Sequence, residues 1–406
     1  MADQDCRAAS ADCPCAGKPS QCVPASDGGA TKRPSFSGDT GVTPTTGSPA
    51  TPRDSADSGG DASTGGRRGP PSDAGTVEAL DAAGPDVGSQ AADAAQARVD
   101  ASMGNSPSSG STGFVGKHGP LRVEGNRVVD SQGQAIQLRG MSLFWSQWSD
   151  FYVAKNVDVL ADEWKGTLVR AALGVENDGG YLQTQQANAD KVRAVVERAI
   201  ERGIYVIIDW HDHHAQDHAA QAKAFFEGMA KAYGQKPNVI FEIYNEPVDV
   251  SWSVVKAYAE PMIAAIRAAG SKNLIVVGTP NWSQDVDIAA SSRITSDQNV
   301  AYTLHFYADT HKQSLRDKAK LALDRGIALF VTEWGTCSAD GNGSVNQAET
   351  EAWLSFLQTQ SISWANWALN NKAESCSAIV PSGASVGPWR DDQLTPSGLL
   401  VKSAMP

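Results

Sequence analysis

The sequence predicts an α/β fold: a (β/α)8 TIM barrel with an N-terminal β-hairpin, preceded by a long disordered tail. Three observations predict it. From about residue 118, short apolar runs rich in branched and aromatic residues alternate with amphipathic helical patterns. Eight such repeats fit a closed barrel, which typically takes about 250 residues. Polar or aromatic residues stand at nearly every strand's C-terminal end, the face on which such barrels carry their chemistry. A doubly wound open sheet shares the alternation, but no G-x-G-x-x-G follows a strand here.

In chain order, residues 1–24 are a cysteine-rich segment holding Cys6, Cys13, Cys15 and Cys22. Four cysteines allow three pairings, and no pair of C-x-x-C units argues for zinc. A small disulfide knot in an exported protein is the preferred reading, with free thiols in a tail as the alternative. Residues 25–117 are Gly, Ser, Thr, Pro, Ala and Asp with almost no large apolar side chain. Burial cannot offset the ordering entropy of such a segment, so it is expected to be a disordered linker. The barrel domain is expected over 118–406.

The hairpin comes first, Leu121–Glu124 and Arg127–Asp130 around Gly125-Asn126. Strands follow at Ile136–Leu143, Thr167–Leu173, Tyr205–Trp210 and Val239–Tyr244. Four more are expected at Leu274–Gly278, Val300–Phe306, Ala328–Thr332 and Ser363–Leu369. Helical periodicity is clearest at Asp190–Arg202, Ser251–Ala269, Ser314–Arg325 and Gln347–Gln360, with a shorter pattern at Val157–Trp164. The connection after Gly278 has the weakest helical pattern.

The 406 residues carry a net charge of −12, with 41% hydrophobic residues. That charge argues against a nucleic-acid partner, whose phosphates call for a basic patch. No apolar run approaches the roughly 18 residues of a membrane span. No basic and apolar leader follows Met1, so export after removal of a leader and a cytoplasmic location both fit that start. A monomer is expected.

The chemistry centres on Val239-Ile240-Phe241-Glu242-Ile243-Tyr244-Asn245-Glu246-Pro247, an apolar strand ending on an amide, a carboxylate and a proline. Proline cannot donate to a ladder, so Asn245 and Glu246 fall at a rigid strand tip. A second tip of the same design is Leu329-Phe330-Val331-Thr332-Glu333-Trp334-Gly335. Two carboxylates so placed fit glycoside cleavage, one protonating the leaving oxygen and the other acting as nucleophile or base. Arg170, Asp209-Trp210-His211, His305, Tyr307 and Trp367 lie at further strand ends. The cluster His211-Asp212-His213-His214 with His218 invites a metal reading, but no H-E-x-x-H helix supports one. No metal and no cofactor are expected.

From about Leu121 to Met405 the chain resembles the endoglucanases of glycoside hydrolase family 5. The resemblance rests on Leu138-Arg139-Gly140-Met141-Ser142, Arg170-Ala171-Ala172, Asp209-Trp210-His211, Ile243-Tyr244-Asn245-Glu246-Pro247, Leu304-His305-Phe306-Tyr307, Val331-Thr332-Glu333-Trp334-Gly335 and Trp364-Ala365-Asn366-Trp367. It implies a secreted, retaining endo-β-1,4-glucanase acting on cellulose or soluble β-glucan, with Glu246 as acid/base and Glu333 as nucleophile. A β-mannanase, a mixed-linkage glucanase and a non-catalytic glucan-binding barrel are the alternatives. Arg170 and Tyr307 would keep Glu333 ionised, while the Glu333 charge and partial burial would keep the proton on Glu246. His305 would bond the acid/base or the leaving sugar, His211 would fix the floor beneath the bound sugar, and Asn245 would bond its 2-hydroxyl. Trp367 would be the platform under that sugar. Trp148 and Trp282 match sugar-stacking positions, and Lys372 and Glu374 match polar contacts on the glycone side. Retention requires carboxyl groups about 5–5.5 Å apart.

Cys337 and Cys376 fall in adjacent loops on the catalytic face and are expected to be bonded. The loop Ser375–Pro396, with Trp389, is expected to wall the cleft. Two departures affect fine specificity: Leu143-Phe144-Trp145-Ser146 stands where many relatives carry a histidine, and Gly174 replaces a common tyrosine.

Overall fold

The computed structural model describes residues 113–406, except Ser149. The cysteine-rich segment and the linker up to residue 112 lie outside the described residues. Eight parallel strands close into a barrel in the order β10-β3-β4-β5-β6-β7-β8-β9. They are β3 (Arg139–Leu143), β4 (Leu168–Gly174), β5 (Tyr205–His211), β6 (Val239–Glu242), β7 (Ile275–Val277), β8 (Val300–Tyr307), β9 (Leu329–Gly335) and β10 (Trp364–Leu369). The expected hairpin is present as β1 (Arg122–Glu124) paired antiparallel with β2 (Arg127–Val129).

The connections carry α2 (Ala154–Asp162), α3 (Gln185–Arg202), α4 (Ala219–Tyr233), α5 (Trp252–Ala268), one-turn α6 (Pro280–Ser283), α7 (Val286–Ser291), α8 (Gln313–Asp324) and α9 (Gln347–Gln360). The final helix is α10 (Pro396–Ser403). α3 buries Val192, Val195, Val196 and Ala199 at helical spacing and stops where Gly203 takes φ 66°. It begins five residues before the expected Asp190 because its first turn, Gln185-Gln186-Ala187-Asn188, has no apolar stripe to reveal it.

Inward and outward residues alternate along the strands outside the irregular part of β9, and that alternation builds two cores. Val206, Ile208 and Trp210 of β5 pack outward with helix residues such as Val192, Phe226 and Met229. Tyr205 and Ile207 instead join Leu168, Ile240, Val276, Phe330 and Ala365 in a cluster filling the lower barrel. The next inward positions up the same strands are Arg170, Asp209 and Glu242, all fully buried. The barrel is therefore apolar at its base and ionic at its middle.

A helix lies before residue 118, inside the segment expected to be linker. α1 (Gly113–His118) buries Val115 in the lower-barrel cluster, and the Val115 amide donates to the Gly203 carbonyl at 2.8 Å. Burying one such side chain contributes roughly 1.5–3 kcal/mol, enough to hold one turn in place. A single valine and phenylalanine give no periodicity to read. A second correction concerns Trp389. It is buried and stacks on Phe151, edge-on to Trp164, so it packs behind the cleft wall instead of forming it.

Among the described residues no helix is long and apolar enough to cross a membrane. At Gly140, a Cβ would lie 1.8 Å from the Leu168 carbonyl oxygen, because β3 and β4 approach too closely there for any side chain. Gly140→Ala is expected to destabilise the fold by ~2 kcal/mol or more, read as a lowered thermal midpoint. An unchanged midpoint would contradict the close approach.

Candidate active site

Arg170, on the inner face of β4, is the centre of the site. Its Nε donates to Glu242 Oε2 at 2.7 Å and its Nη2 to Glu242 Oε1 at 3.1 Å. Nη2 also reaches Asn245 Oδ1 at 2.6 Å and Asp209 Oδ2 at 2.8 Å. Nη1 contacts Glu333 Oε2 at 3.2 Å and Ser142 Oγ at 3.3 Å. Burial opposes the charge on Arg170, but Asp209, Glu242 and Glu333 outweigh it and hold the guanidinium firmly protonated. Burial in turn pushes Asp209 up to about 7 and raises Glu242, against the pull of Arg170.

Glu333 reaches the mouth through an irregularity in β9. Thr303 pairs with Phe330 but His305 with Glu333, so β9 has one more residue than β8 over that interval. Such a bulge re-aims side chains. Thr332 and Glu333 both serve the barrel interior, while Trp334 joins the outer core. The Tyr307 hydroxyl donates to Glu333 Oε1 at 2.7 Å, opposite the arginine contact.

Glu246 lies just beyond β6 and is almost fully buried. His305 Nδ1 stands 3.0 Å from its Oε1, and His213 Nε2 stands 3.3 Å from its Oε2. The Thr332 hydroxyl donates to Glu242 at 2.6 Å, so it must accept from His305 Nε2 at 2.8 Å. With its Nε2–H given to Thr332, His305 turns Nδ1 to Glu246, where it can accept a hydrogen from the carboxyl. One oxygen each from Glu246 and Glu333 and a ring nitrogen of His305 lie within 4.8 Å of one another.

His211 is pushed down to about 3 by burial and by the Arg170 charge, so it is neutral. Its Nδ1–H donates to Asp209 at 2.8 Å, which leaves Nε2 to face Asn245 Nδ2 at 3.4 Å. With its carbonyl turned to Arg170, Asn245 can only present its NH2 group toward the mouth. Trp367 stacks on His211, with ring centroids 5.0 Å apart and planes at 17°.

The exposed indole of Trp148 follows β3, and the half-exposed Trp282 follows β7. Those strands are four apart in a ring of eight, so the two rings occupy opposite rims. Asn281, Trp282 and Ser283 all have left-handed φ, at 58°, 54° and 57°. That costly turn is held by the Trp282 amide on the Pro247 carbonyl at 3.1 Å and by Ser283 Oγ on the Asn245 carbonyl at 2.7 Å. Lys372 pairs with Glu374 at 2.7 Å and lies over the Phe144 ring. A cavity of about 410 Å³ there is lined by Phe144, Trp148, Asn370, Lys372 and Ser385 among others.

Cys337 and Cys376 are disulfide-bonded, with Cα atoms 5.5 Å apart, and the bridge packs in one cluster with Tyr307 and Trp367. The two sequence departures are also accounted for. Trp145 lies 5.4 Å from His211, ring to ring, and continues an aromatic row to Trp148 at 4.6 Å. The Gln147 carboxamide fills the space a Cβ on Gly174 would need, 1.8 Å from that position.

The histidine cluster is distributed over separate carboxylates. His211 bonds Asp209, His213 meets Glu246, His214 bonds Glu176 and His218 bonds Asp212. Sequence reasoning assigned no role to Glu242, Asp209, Thr332, His213, Glu176 or Trp145. A glutamate in the middle of an otherwise apolar strand was the one legible signal, since a buried carboxylate needs a cation.

A closed parallel barrel with two carboxyl groups facing each other near an indole ring has the architecture of a barrel glycosidase. The family model described as cellulase, glycosyl hydrolase family 5, matches residues 129–373. Endoglucanase Z of Dickeya dadantii is 52% identical over 289 residues, covering 70% of this chain and 66% of the relative. An endoglucanase of Clostridium saccharobutylicum is 45% identical, covering 71% and 65%. The chain thus spans slightly less than two thirds of the length of these curated relatives. A solved chain from Cytophaga hutchinsonii is 53% identical with a TM-score of 0.70, covering 71% of this chain and 95% of that one. The catalytic domain of Thermobifida fusca endoglucanase Cel5A, solved with cellotetraose, is 31% identical with a TM-score of 0.68, covering 71% and 98%. The chain belongs to glycosyl hydrolase family 5, the cellulase family.

Removing Glu242 strands the Arg170 charge. Glu242→Ala is expected to cost ~3 kcal/mol or more in denaturant unfolding. A midpoint equal to that of the parent protein would show that Arg170 does not depend on it.

Proposed function

We propose that this chain is a secreted endo-β-1,4-glucanase that cleaves internal bonds of cellulose or soluble β-glucan with retention of configuration. The observation that carries the reading is the approach of a Glu246 oxygen to a Glu333 oxygen within 4.8 Å. That fits the ~5–5.5 Å carboxyl spacing of double displacement and leaves too little room for the interposed water of inversion, which needs roughly 6.5–9.5 Å. The endoglucanase relatives and the cellotetraose bound to one of them support a β-1,4-glucan as substrate.

In the first step the Glu333 carboxylate attacks the anomeric carbon and the glycosidic C–O bond breaks. Glu246 gives its proton to the departing hydroxyl oxygen. In the second step water loses a proton to Glu246 and attacks the same carbon, releasing Glu333. Arg170 and Tyr307, one on each Glu333 oxygen, keep that carboxylate oriented and charged between attacks. The Asn245 NH2 group is positioned for the sugar 2-hydroxyl, a contact that strengthens as the oxocarbenium-like transition state forms. Trp367 supplies the apolar floor. Trp148 and Trp282 lengthen the track at opposite rims, and Lys372 with Glu374 flanks its glycone end.

Purified protein is expected to release reducing ends from carboxymethylcellulose, with the β-anomer appearing first by NMR. Glu333→Gln is expected to lower turnover by at least ~10³-fold. Initial α-product would mean inversion, and faster cleavage of mannan or mixed-linkage glucan would reassign the substrate.

A further inference from the structure

We propose that His213 is a positioning residue for the reaction's mobile proton: together with His305 it brackets the Glu246 carboxyl, one imidazole per oxygen, and holds that proton in place toward alkaline pH. The inference rests on the reading of Glu246 as acid/base.

The geometry behind it differs for the two imidazoles. His305 is fully buried, and its second nitrogen is committed to Thr332. His213 stands in the loop after β5 at the mouth, with its side chain about a quarter exposed. Its backbone is fixed to the strand tip, because its carbonyl accepts from the Val248 amide at 3.3 Å and from the Tyr244 hydroxyl at 3.0 Å. That anchorage sets Nε2 at 3.3 Å from Glu246 Oε2. Its Nδ1 faces Glu176 Oε2 at 4.0 Å, from the loop after β4. A Glu246 hydrogen donated from Oε1 to His305 Nδ1 leaves Oε2 as an acceptor, so His213 presents Nε2–H to it, and the second proton of an imidazolium falls on Nδ1 beside Glu176.

The other ionisable groups around the pair are His211 on β5, its ring 6.2 Å away and edge-on, His305 on β8 and Glu333 on β9. Burial works against a charged His213, but the hydrogen bond and charge of Glu246, then Glu176 and Glu333, outweigh it and raise its affinity for a proton. One proton thus has two neighbouring sites, with either Glu246 protonated beside neutral His213 or Glu246 ionised beside cationic His213. The balance over a cycle is zero. Glu246 passes its proton to the leaving oxygen in the first step and recovers one from water in the second.

The sign of the pH effect follows from this sharing. A pair holding one proton loses it at higher pH than the carboxyl does without its imidazole partner. In His213→Gln the alkaline limb of kcat/KM is expected to move to lower pH, by about half a unit or more, while the acid limb stays. His213→Asn, examined in parallel, carries the same test if the first variant does not fold. An alkaline limb that stays put with a uniform fall in kcat, or one that moves upward, overturns the proposal.

Glu246→Ala separates this outcome from the reading beneath it. That variant is expected to lose cleavage of glucan yet still release a good leaving group from an aryl cellobioside in a first-step burst, with the stalled second step restored by added azide. If it does not, the role given to Glu246 falls. If it does and the His213 profile matches the parent's, only the present proposal falls.

Discussion

The site depends on one buried cation. Taking a guanidinium out of water costs several kcal/mol, and the cost is met only when every donor finds a well-placed acceptor. Arg170 meets that condition by reaching across the barrel to β5, β6 and β9. Those same bonds set the Glu333 carboxylate on one side and turn the Asn245 amide on the other. The lower barrel, filled by Leu168, Tyr205, Ile207, Ile240 and Phe330, gives the arginine a rigid seat. Packing at the base and charge at the middle are therefore successive floors of one structure, reached by climbing two residues along each strand.

From that floor upward, neighbouring groups are driven toward different protonation. His211, beside the arginine and away from water, is neutral and acts through a single tautomer. His305 is oriented by a chain of bonds through Thr332 to Glu242, which returns to Arg170. The orientation of the ring beside Glu246 thus traces back to Arg170. Glu333, in contrast, takes its partners directly from Arg170 and Tyr307. Glu246 and Glu333, with oxygens within 4.8 Å of one another, are kept distinct by which branch of the network each occupies.

Much of this was legible in the sequence because a parallel strand buried on both faces leaves a continuous apolar run, and eight such runs separated by helical patterns admit few folds. Residues at strand tips, such as Glu246 and Trp367, stood out by interrupting a run at its end. Glu242, within its run, was absorbed into the apolar pattern, although its pairing with Asp209 across β5 and β6 places both at the arginine. His213 was hidden by its neighbours, since four histidines in a row of eight residues read as one cluster when each serves a different acid. Trp389 was misjudged because the Gly- and Pro-containing loop around it carries no period, and only packing on Phe151 and Trp164 reveals its direction. The contacts at Val115 were invisible for the same reason.

The bulge in β9 has a consequence for how this protein can change. Loops on a barrel can lengthen or shorten without disturbing the frame that holds them. In β9 the bulge itself is part of the chemistry: the same residues in strict alternation would send the carboxylate of Glu333 out among the helices and the indole of Trp334 into the ionic floor. Variation by insertion and deletion is thus open to the rims and closed to this seven-residue strand, where spelling can drift only by substitution.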